Sequence, residues 1–453
     1  YGSMWVVYIL LVFAALVFSA LLQLLACVKN RVVQKRPSGQ KMPSVHVCLP
    51  ICGSYGEQKQ FAIWDSTLAQ LYDGAVQFTF VVESEADPAY RSIMGYKESS
   101  KREFDVAVAG LSFHNAQKIH NMLVGIRGKQ QEFFCFIDDD VEINEMTLAN
   151  LVGAAQNGGE QRISTGYSVE VPDSALTSTL VGVYRVINCL GFAGESANYC
   201  WGGCFCLSRQ LFERLEIAAL WEDGGYTDDV LLGNAAKQQG VRISAPAQCM
   251  FQNRISLSRF SRQYWNYVQR QYFVLLSYLN AKDRVGNAIA MGQLLFGGAL
   301  VAGLSVLILF DLYAECVGCW DLQLQPRLSR FQVKSLVVVL SLWLVGLSIN
   351  KAIRSLEGLS CRLQGKAQPK SQLEPFRSAL CLILHFYCTP AMILANLIKK
   401  QVQWGSAAYR LERGRVFKVL RQGQNVDKLE SMRKYMQTGS GVVAADVKQL
   451  KLE

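Results

Sequence analysis

The stretch EFFCFIDDDVEINEMTL, residues 132–148, runs an apolar segment straight into Asp138, Asp139 and Asp140. Three adjacent carboxylates repel one another, and an ordinary turn needs one acid rather than three. A D-x-D spacing directly after a buried strand lets Asp138 and Asp140 reach a divalent cation that in turn bridges two phosphates. Hard oxygen ligands of this kind suit Mg²⁺ or Mn²⁺. A solvated acidic turn is the alternative. A second acidic cluster, Glu83, Glu85 and Asp87, also begins where an apolar run (VQFTFVV, 76–82) stops.

Other chemistries lack their signatures. The chain has no Walker A loop, no G-x-G-x-x-G and no G-x-S-x-G. Its four histidines, His46, His114, His120 and His385, form no zincin helix. Cys200, Cys204 and Cys206 in YCWGGCFCLS lack the nearby second pair of a zinc site, and FCLS reads as another strand. The 14 cysteines show none of the regular spacing of a disulfide framework, so the main domain reads as reduced and cytosol-facing.

The elements that must position the acids follow from periodicity. SVHVCLPICG (44–53), VQFTFVVES (76–84), DVAVAG (105–110) and EFFCFI (132–137) read as strands. FAIWDSTLAQLY (61–72), AQKIHNMLVGIRG (116–128) and DDVLLGNAAKQQG (228–240) read as helices; the acids opening the last also complement its dipole. Alternation of this kind predicts a mostly parallel α/β sheet with helices on both faces. Ligands in such sheets bind beyond the carboxyl ends of the strands, where both acid clusters fall.

Of 453 residues, 51% are apolar, with a net charge of +10. The apolar excess is concentrated. Residues 5–28 carry no charge and are long enough for an uncleaved transmembrane anchor. Segments 287–310, 335–349 and 379–398 are further spans, with a buried core helix as the alternative for each. Lys29, Arg31, Lys35, Arg36 and Lys41 after the first span, and Lys351, Arg354, Arg362, Lys366 and Lys370 after the third, place both flanks in the cytosol. The basic tail after Lys399 also belongs there, which four full crossings forbid. Segment 379–398 therefore reads as re-entrant or interfacial, broken at Pro390. SLSRFSRQYWNYVQRQYFVLLSYL (256–279) reads as one basic, aromatic amphipathic helix at the bilayer surface. Basic–aromatic interleaving also suits nucleic acid, but the adjoining span favours lipid, and no nucleic-acid partner is expected. The implied organisation is an anchor (1–30), a catalytic domain (42–255), an interfacial helix (256–284), membrane or re-entrant helices (285–400) and a basic tail (401–453).

Taken in order, VVESEADPAY (81–90), FIDDDVEI (136–143), YCWGGCFCLSR (199–209), DGGYTDDVLL (223–232) and SRFSRQYWNYVQRQYFVLLSY (258–278) resemble the membrane-bound, inverting family-2-type glycosyltransferases of GT-A fold, more narrowly the plant-type branch of the ceramide glucosyltransferases. The resemblance covers roughly residues 5–310, and VQWGSAAYRLERG (402–414) resembles a tail segment of lipid-glucosylating members. It implies transfer of glucose from UDP-glucose to the primary hydroxyl of ceramide by a protein integral to the Golgi or ER membrane, its catalytic domain facing the cytosol. A polyisoprenyl-phosphate or polysaccharide acceptor is the alternative within the same fold. The implied roles are Asp229 as general base, Asp87, Asp138 and Glu83 on the nucleotide-sugar, and Asp140 as direct metal ligand beside Asp138. Lys118 and Asn121 match a K-x-x-N near the nucleotide. Cys200, Trp201 and Gly202 fall in the motif beside the active site. The family's (Q/R)-x-x-R-W motif is replaced: Gln263, Trp265 and Asn266 occupy its span. Arg270, one turn beyond Asn266, or Trp265 with Arg262, stands in on the acceptor or diphosphate side.

Overall fold

A computed structural model describes residues 42–427 except 54–55, 157–160, 193–195, 198, 258, 319–324, 364–372, 406 and 422–423. The expected anchor at 5–28, the basic residues at 29–41 and the end of the tail lie outside the described residues, as do Lys366 and Lys370.

The domain expected to be catalytic is a mixed α/β unit built on a seven-stranded sheet. In chain order its strands are β1 (Val45–Pro50), β2 (Val76–Val82), β3 (Asp105–Val108), β4 (Phe133–Ile137), β5 (Ile163–Thr165), β7 (Cys204–Ser208) and β8 (Ile243–Ser244), with spatial order β3-β2-β1-β4-β7-β5-β8. β6 (Tyr167–Pro172) pairs in parallel with β9 (Met250–Ile255) as a separate ribbon. β1, β2, β3 and β4 run parallel, and β7 runs antiparallel to β4 and β5. The chain builds outward from β1 to β3 and then jumps to β4 on the other side of β1. The ends of β1 and β4 therefore flank the crevice where the strand order reverses, which is where ligands bind in open α/β sheets.

The strands carry apolar side chains on both faces because both are covered. On one face Val45, Val47 and Leu49 pack against α1 (Glu57–Leu68), α2 (Pro88–Ser99) and α4 (Thr147–Gln156). On the other, Cys48, Val81, Phe134 and Phe136 meet α3 (Gln117–Ile126), α6 (Arg209–Arg214), α7 (Ile217–Glu222) and α8 (Asp228–Gln238). α3 lies unusually close to the sheet: a Cβ at Gly125 would collide with the Cys48 thiol and the Val81 side chain. The sequence reading of β1 to β4, β7, α1, α3 and α8 holds to within a few residues; α2, α4, α6, α7, β5, β8 and the β6–β9 ribbon were not anticipated.

Three further expectations are corrected. Residues 256–279 are not one regular helix. A π-helical turn (Phe260–Trp265) leads into α9 (Asn266–Phe273) and a 3₁₀ turn (Val274–Leu276). Residues 401–427, read as part of a basic tail, fold into a four-stranded antiparallel sheet: β10 (Gln401–Trp404), β11 (Ala407–Glu412), β12 (Arg415–Arg421) and β13 (Gln424–Asp427). This sheet buries Val402, Tyr409, Leu411, Val416 and Val419 in the same core as α3 and α8. Finally, the helix over segment 379–398 continues through Pro390 without a break.

Among the described residues three helices are long and apolar enough to cross a bilayer: Ala281–Phe310 within α10 (Ala281–Gly318), Ser335–Leu363 within α11 (Gln325–Leu363), and α12 (Pro375–Lys399). Their surroundings differ. The second half of α11 rests on the β6–β9 ribbon, where Gln252 Nε2 donates to the Glu357 carbonyl at 3.1 Å and Ser360 Oγ to the Met250 carbonyl at 3.1 Å. α12 is tied to the catalytic domain along its whole length. Arg377 donates to the Ser174 carbonyl near one end. His385 pairs with the Tyr264 and Tyr272 hydroxyls at 2.9 and 3.1 Å in the middle. Asn396 Nδ2 donates to the Gln269 carbonyl at 2.9 Å near the other end. α5 (Leu176–Asn188) and α9 supply much of the face it packs against.

Candidate active site

Lys118 is the hub of the crevice. It lies in the first turn of α3, and its ammonium is in contact with three groups brought from distant parts of the chain. It meets Asp138 Oδ1 at 2.8 Å, Asp228 Oδ2 at 3.1 Å and the Gly202 carbonyl at 2.9 Å. Asp138 follows β4, Asp228 opens α8, and Gly202 lies in the turn entering β7. Asp229, next along α8, accepts the Gly202 N–H on Oδ2 at 3.1 Å and the Val230 N–H on Oδ1 at 2.7 Å. Gly202 has no room for a side chain: a Cβ would stand 2.9 Å from Asp228 Oδ2 and 3.2 Å from Asp229 Oδ2.

One buried cation thus faces several carboxylates. Burial alone would lower the Lys118 pKa, but Asp138 and Asp228 more than offset it and hold it above its ordinary value. Asp138 is raised to about 7, by burial first and by Asp140 and Asp228 as well, against the pull of Lys118. Asp229 is raised to about 6, by burial first and Asp228 next, against Lys118 and its two backbone donors. Asp139 is raised well above the carboxylate range by burial and its two neighbours, although its Oδ2 accepts the Cys52 N–H at 3.4 Å. Asp140 remains exposed at its rim, yet the recess strips enough water from its carboxylate to raise its pKa too, against the pull of Lys118. Excess carboxylate charge crowded on one lysine is a place where a cation is favoured.

Among the described residues no three His, Cys, Asp or Glu side chains form a ready-made metal cage. Asp138 and Asp140 offer hard oxygens only. That donor set fits a Mg²⁺- or Mn²⁺-type ion completed by substrate phosphate oxygens, since such ions are commonly held by one or two carboxylates plus phosphate.

The remaining expected residues fall into three groups. Cys200 is buried close enough to Asp229 and Asp228 for their charge to add to the burial that raises its thiol pKa well above normal. Trp201 is fixed by its N–H to Thr165 Oγ1 at 2.9 Å. Asp87 and Glu83 stand at the end of β2. Asp87 Oδ1 caps α2 through the Ala89 N–H at 2.8 Å and holds the Gly53 N–H at 2.9 Å, shaping the loop after β1. Asn121 is buried behind Lys118, with its amide between Gln117 Nε2 (2.8 Å) and the Val81 carbonyl (3.4 Å). Gln263, Asn266 and Arg270 line a separate cavity of about 290 Å³ with Glu170, Val181, Asn253, Ile255, Leu257 and Tyr267. Arg270 shares that face with Asn266, as one helical turn of separation requires, and its guanidinium lies 5.7 Å from the Trp404 ring. Trp265 packs into the apolar core beside α12, and the Arg262 side chain lies outside the described residues.

The sequence reading missed three contributors. Asp228 was absorbed into a helix-dipole reading, though the doubled acid in YTDD was its signal. Arg421 of β12 reaches Glu83 Oε2 at 3.3 Å, the Ser112 carbonyl at 3.4 Å and Gln117 Oε1. Tyr409 of β11 accepts the Gln117 N–H at 3.1 Å. Gln117 opens α3, so the C-terminal sheet fixes the turn that carries Lys118. Alternation in RVFKVLR could have signalled the strand, but not its partner.

The profile of Glycosyl transferase family 21 matches residues 10–345. No curated protein sequence matches the chain significantly. Among solved structures, similar chains include the mannosyltransferase PcManGT from Pyrobaculum calidifontis in complex with GDP-Man and Mn²⁺, at TM-score 0.44 and 15% identity, over 87% of this chain and 98% of that one. Another is glucosyl-3-phosphoglycerate synthase from Mycobacterium tuberculosis in complex with Mn²⁺, UDP and glucosyl-3-phosphoglycerate, at TM-score 0.30 and 13% identity, over 55% of this chain and 82% of that one.

Proposed function

The chain belongs to glycosyl transferase family 21, and from that premise we propose that it moves glucose from UDP-glucose to the primary hydroxyl of ceramide, inverting the anomeric carbon, at the cytosolic face of the Golgi or ER membrane. The observation that carries the reading is the Lys118 hub, which gathers Asp138, Asp228 and Gly202 and sets Asp229 one residue away.

A lipid alcohol is a poor nucleophile. Asp229, raised to about 6, is ionised near neutral pH and yet basic enough to take the hydroxyl proton as the new C–O bond forms and the bond to UDP breaks. Positioned general bases of this kind contribute ~10²–10⁴-fold. Its two backbone N–H donors fix the direction of the carboxylate. Lys118 supplies positive charge next to Asp138, where the departing diphosphate gathers negative charge. Asp138 and Asp140 would hold Mg²⁺ or Mn²⁺, whose chemistry is to neutralise that leaving group. Asp87 and Glu83 shape the nucleoside end of the crevice, and the cavity of Gln263, Asn266 and Arg270 receives the acceptor's polar head. Its walls include α5 and α9, the elements that α12 packs against, which sets it near the lipid-meeting helices that an acceptor insoluble in water requires.

Topology supports the membrane assignment. The chain leaves the catalytic domain by α10 and returns after α12 to a sheet packed on that same domain. An even number of crossings must lie between. α12, bonded to the domain at both ends and its middle, lies along it at the interface, and α10 and α11 make the outward and return crossings.

The test is incubation of the purified protein with labelled UDP-glucose or UDP-galactose and a panel of ceramide, polyisoprenyl phosphate and no lipid, with product identification. Glucosylceramide as the product is expected. Transfer to polyisoprenyl phosphate but not to ceramide would overturn the acceptor assignment.

A further inference from the structure

A cavity of about 570 Å³ lies away from the crevice, between α11 and the start of α12. Its wall is a single stripe of α11: Leu344 and Leu347, then the polar Ser348 and Asn350, then Lys351, Arg354 and Ser355, then Gly358 and Arg362, closed by Leu373 and Pro375. The spacing of three to four residues puts these positions on one helix face. The stripe changes character along its length. Its first part is leucine, within the apolar run of a helix long enough to cross the bilayer. Its second part carries three cations over 12 residues, at the level where α11 rests on the β6–β9 ribbon.

The electrostatics of this cavity are one-sided. Among the described residues no acidic side chain lines it, and the carboxylate whose charge reaches Arg354, Glu357, is buried outside its wall. Arg354 donates to the Leu373 carbonyl at 3.4 Å, across the cavity mouth. Among the described residues, Lys351 and Arg362 have no carboxylate within ion-pair distance, and both are exposed. Basic residues flanking a span are the common way to fix orientation, and they need no cavity for that. Here the flank encloses one, apolar at the membrane end and cationic at the water end. We propose that this cavity binds an anionic glycerophospholipid from the leaflet facing the catalytic domain, with its phosphate against Lys351, Arg354 and Arg362 and its glycerol and upper acyl chain along Leu344 and Leu347. Basic pockets between membrane helices hold anionic headgroups by this combination of charge and apolar wall. The site uses no residue of the sugar-transfer machinery and does not depend on the reaction assigned to it.

The experiment is native mass spectrometry and thermal unfolding of the full chain in nanodiscs of phosphatidylcholine with or without phosphatidylserine. Wild-type protein is expected to retain phosphatidylserine and to melt higher in its presence. The double variant Lys351→Gln/Arg362→Gln should bind it about thirtyfold more weakly, at roughly a fivefold loss per basic residue near the surface. The control Lys282→Gln/Lys399→Gln, which removes two exposed charges elsewhere, should bind as wild type. Equal losses in both variants, or equal retention of phosphatidylcholine, would overturn the site. Inorganic phosphate at millimolar concentration giving the whole thermal shift would show that the leucine end contributes nothing, and would overturn the lipid as ligand.

Discussion

Two polar clusters lie side by side in this protein, and their charge balance separates them. In one, Arg185 Nε meets Glu170 Oε2 at 2.8 Å, Arg185 Nη2 donates to Ser168 Oγ at 2.7 Å, and Ser168 Oγ donates to Glu170 Oε1 at 2.8 Å. One cation answers one carboxylate, a hydroxyl closes the ring, and the group is buried and complete. In the other, Lys118 answers Asp138 and Asp228 directly and feels Asp229 as well, with Asp139 and Asp140 adjoining. Burial, and then the mutual repulsion of the acids, raise the carboxylates there by more than Lys118 and the backbone donors lower them. The first cluster is balanced within itself; the second has a deficit of positive charge that a metal and its phosphates would fill. Burial and hydrogen bonding alone do not mark a site; unmatched charge does.

The comparison sharpens most if Asp229 is changed. Asp229→Asn should lower transfer by ~10²–10⁴-fold and leave UDP affinity nearly intact by calorimetry. Loss of UDP binding in that variant would count against the base assignment. The balanced cluster should respond in stability instead. Arg185→Met strands a buried carboxylate and should cost about 3–5 kcal/mol of unfolding free energy, read by denaturant titration, with UDP affinity unchanged in the folded fraction. Between these lies Arg421→Ala. Loosening the turn that carries Lys118 should raise the donor KM about tenfold, roughly 1.4 kcal/mol, with a smaller change in kcat and partial rescue by Arg421→Lys.

The smallest effect is in pH. Asp138 and Asp229 rise from 3.8 unfolded to about 7 and about 6 folded. Their contribution to stability is complete below pH 3.8 and is lost as pH rises through 6 and 7. The rise in melting temperature on adding Mn²⁺ should therefore be larger at pH 8 than at pH 5.5, and chelation should reverse it. Activity should run the other way, falling below about pH 6 as Asp229 takes up its proton. Arg185, held above its ordinary value by Glu170, keeps its charge throughout.

What was legible in the sequence was local. Asp138 and Glu83 were visible because each follows an apolar strand, and β1 to β4 because their buried faces leave continuous apolar runs. Lys118 and Asp229 were reached through motif resemblance. What was hidden was long-range. Arg421 contacts Glu83 across 338 positions and Gln117 across 304, and nothing in either neighbourhood announces the other. The stretch at 256–279 has helical composition, but its π and 3₁₀ turns follow from docking on His385 and Asn396 of α12.

The clamp of Arg421 and Tyr409 on Gln117 also orders events during synthesis. The acids and Lys118 leave the ribosome early; the residues that fix the lysine's helix emerge only after α10, α11 and α12 have been made. Until then the nascent crevice lacks its last support, so a half-built chain has no finished pocket before its helices have been made.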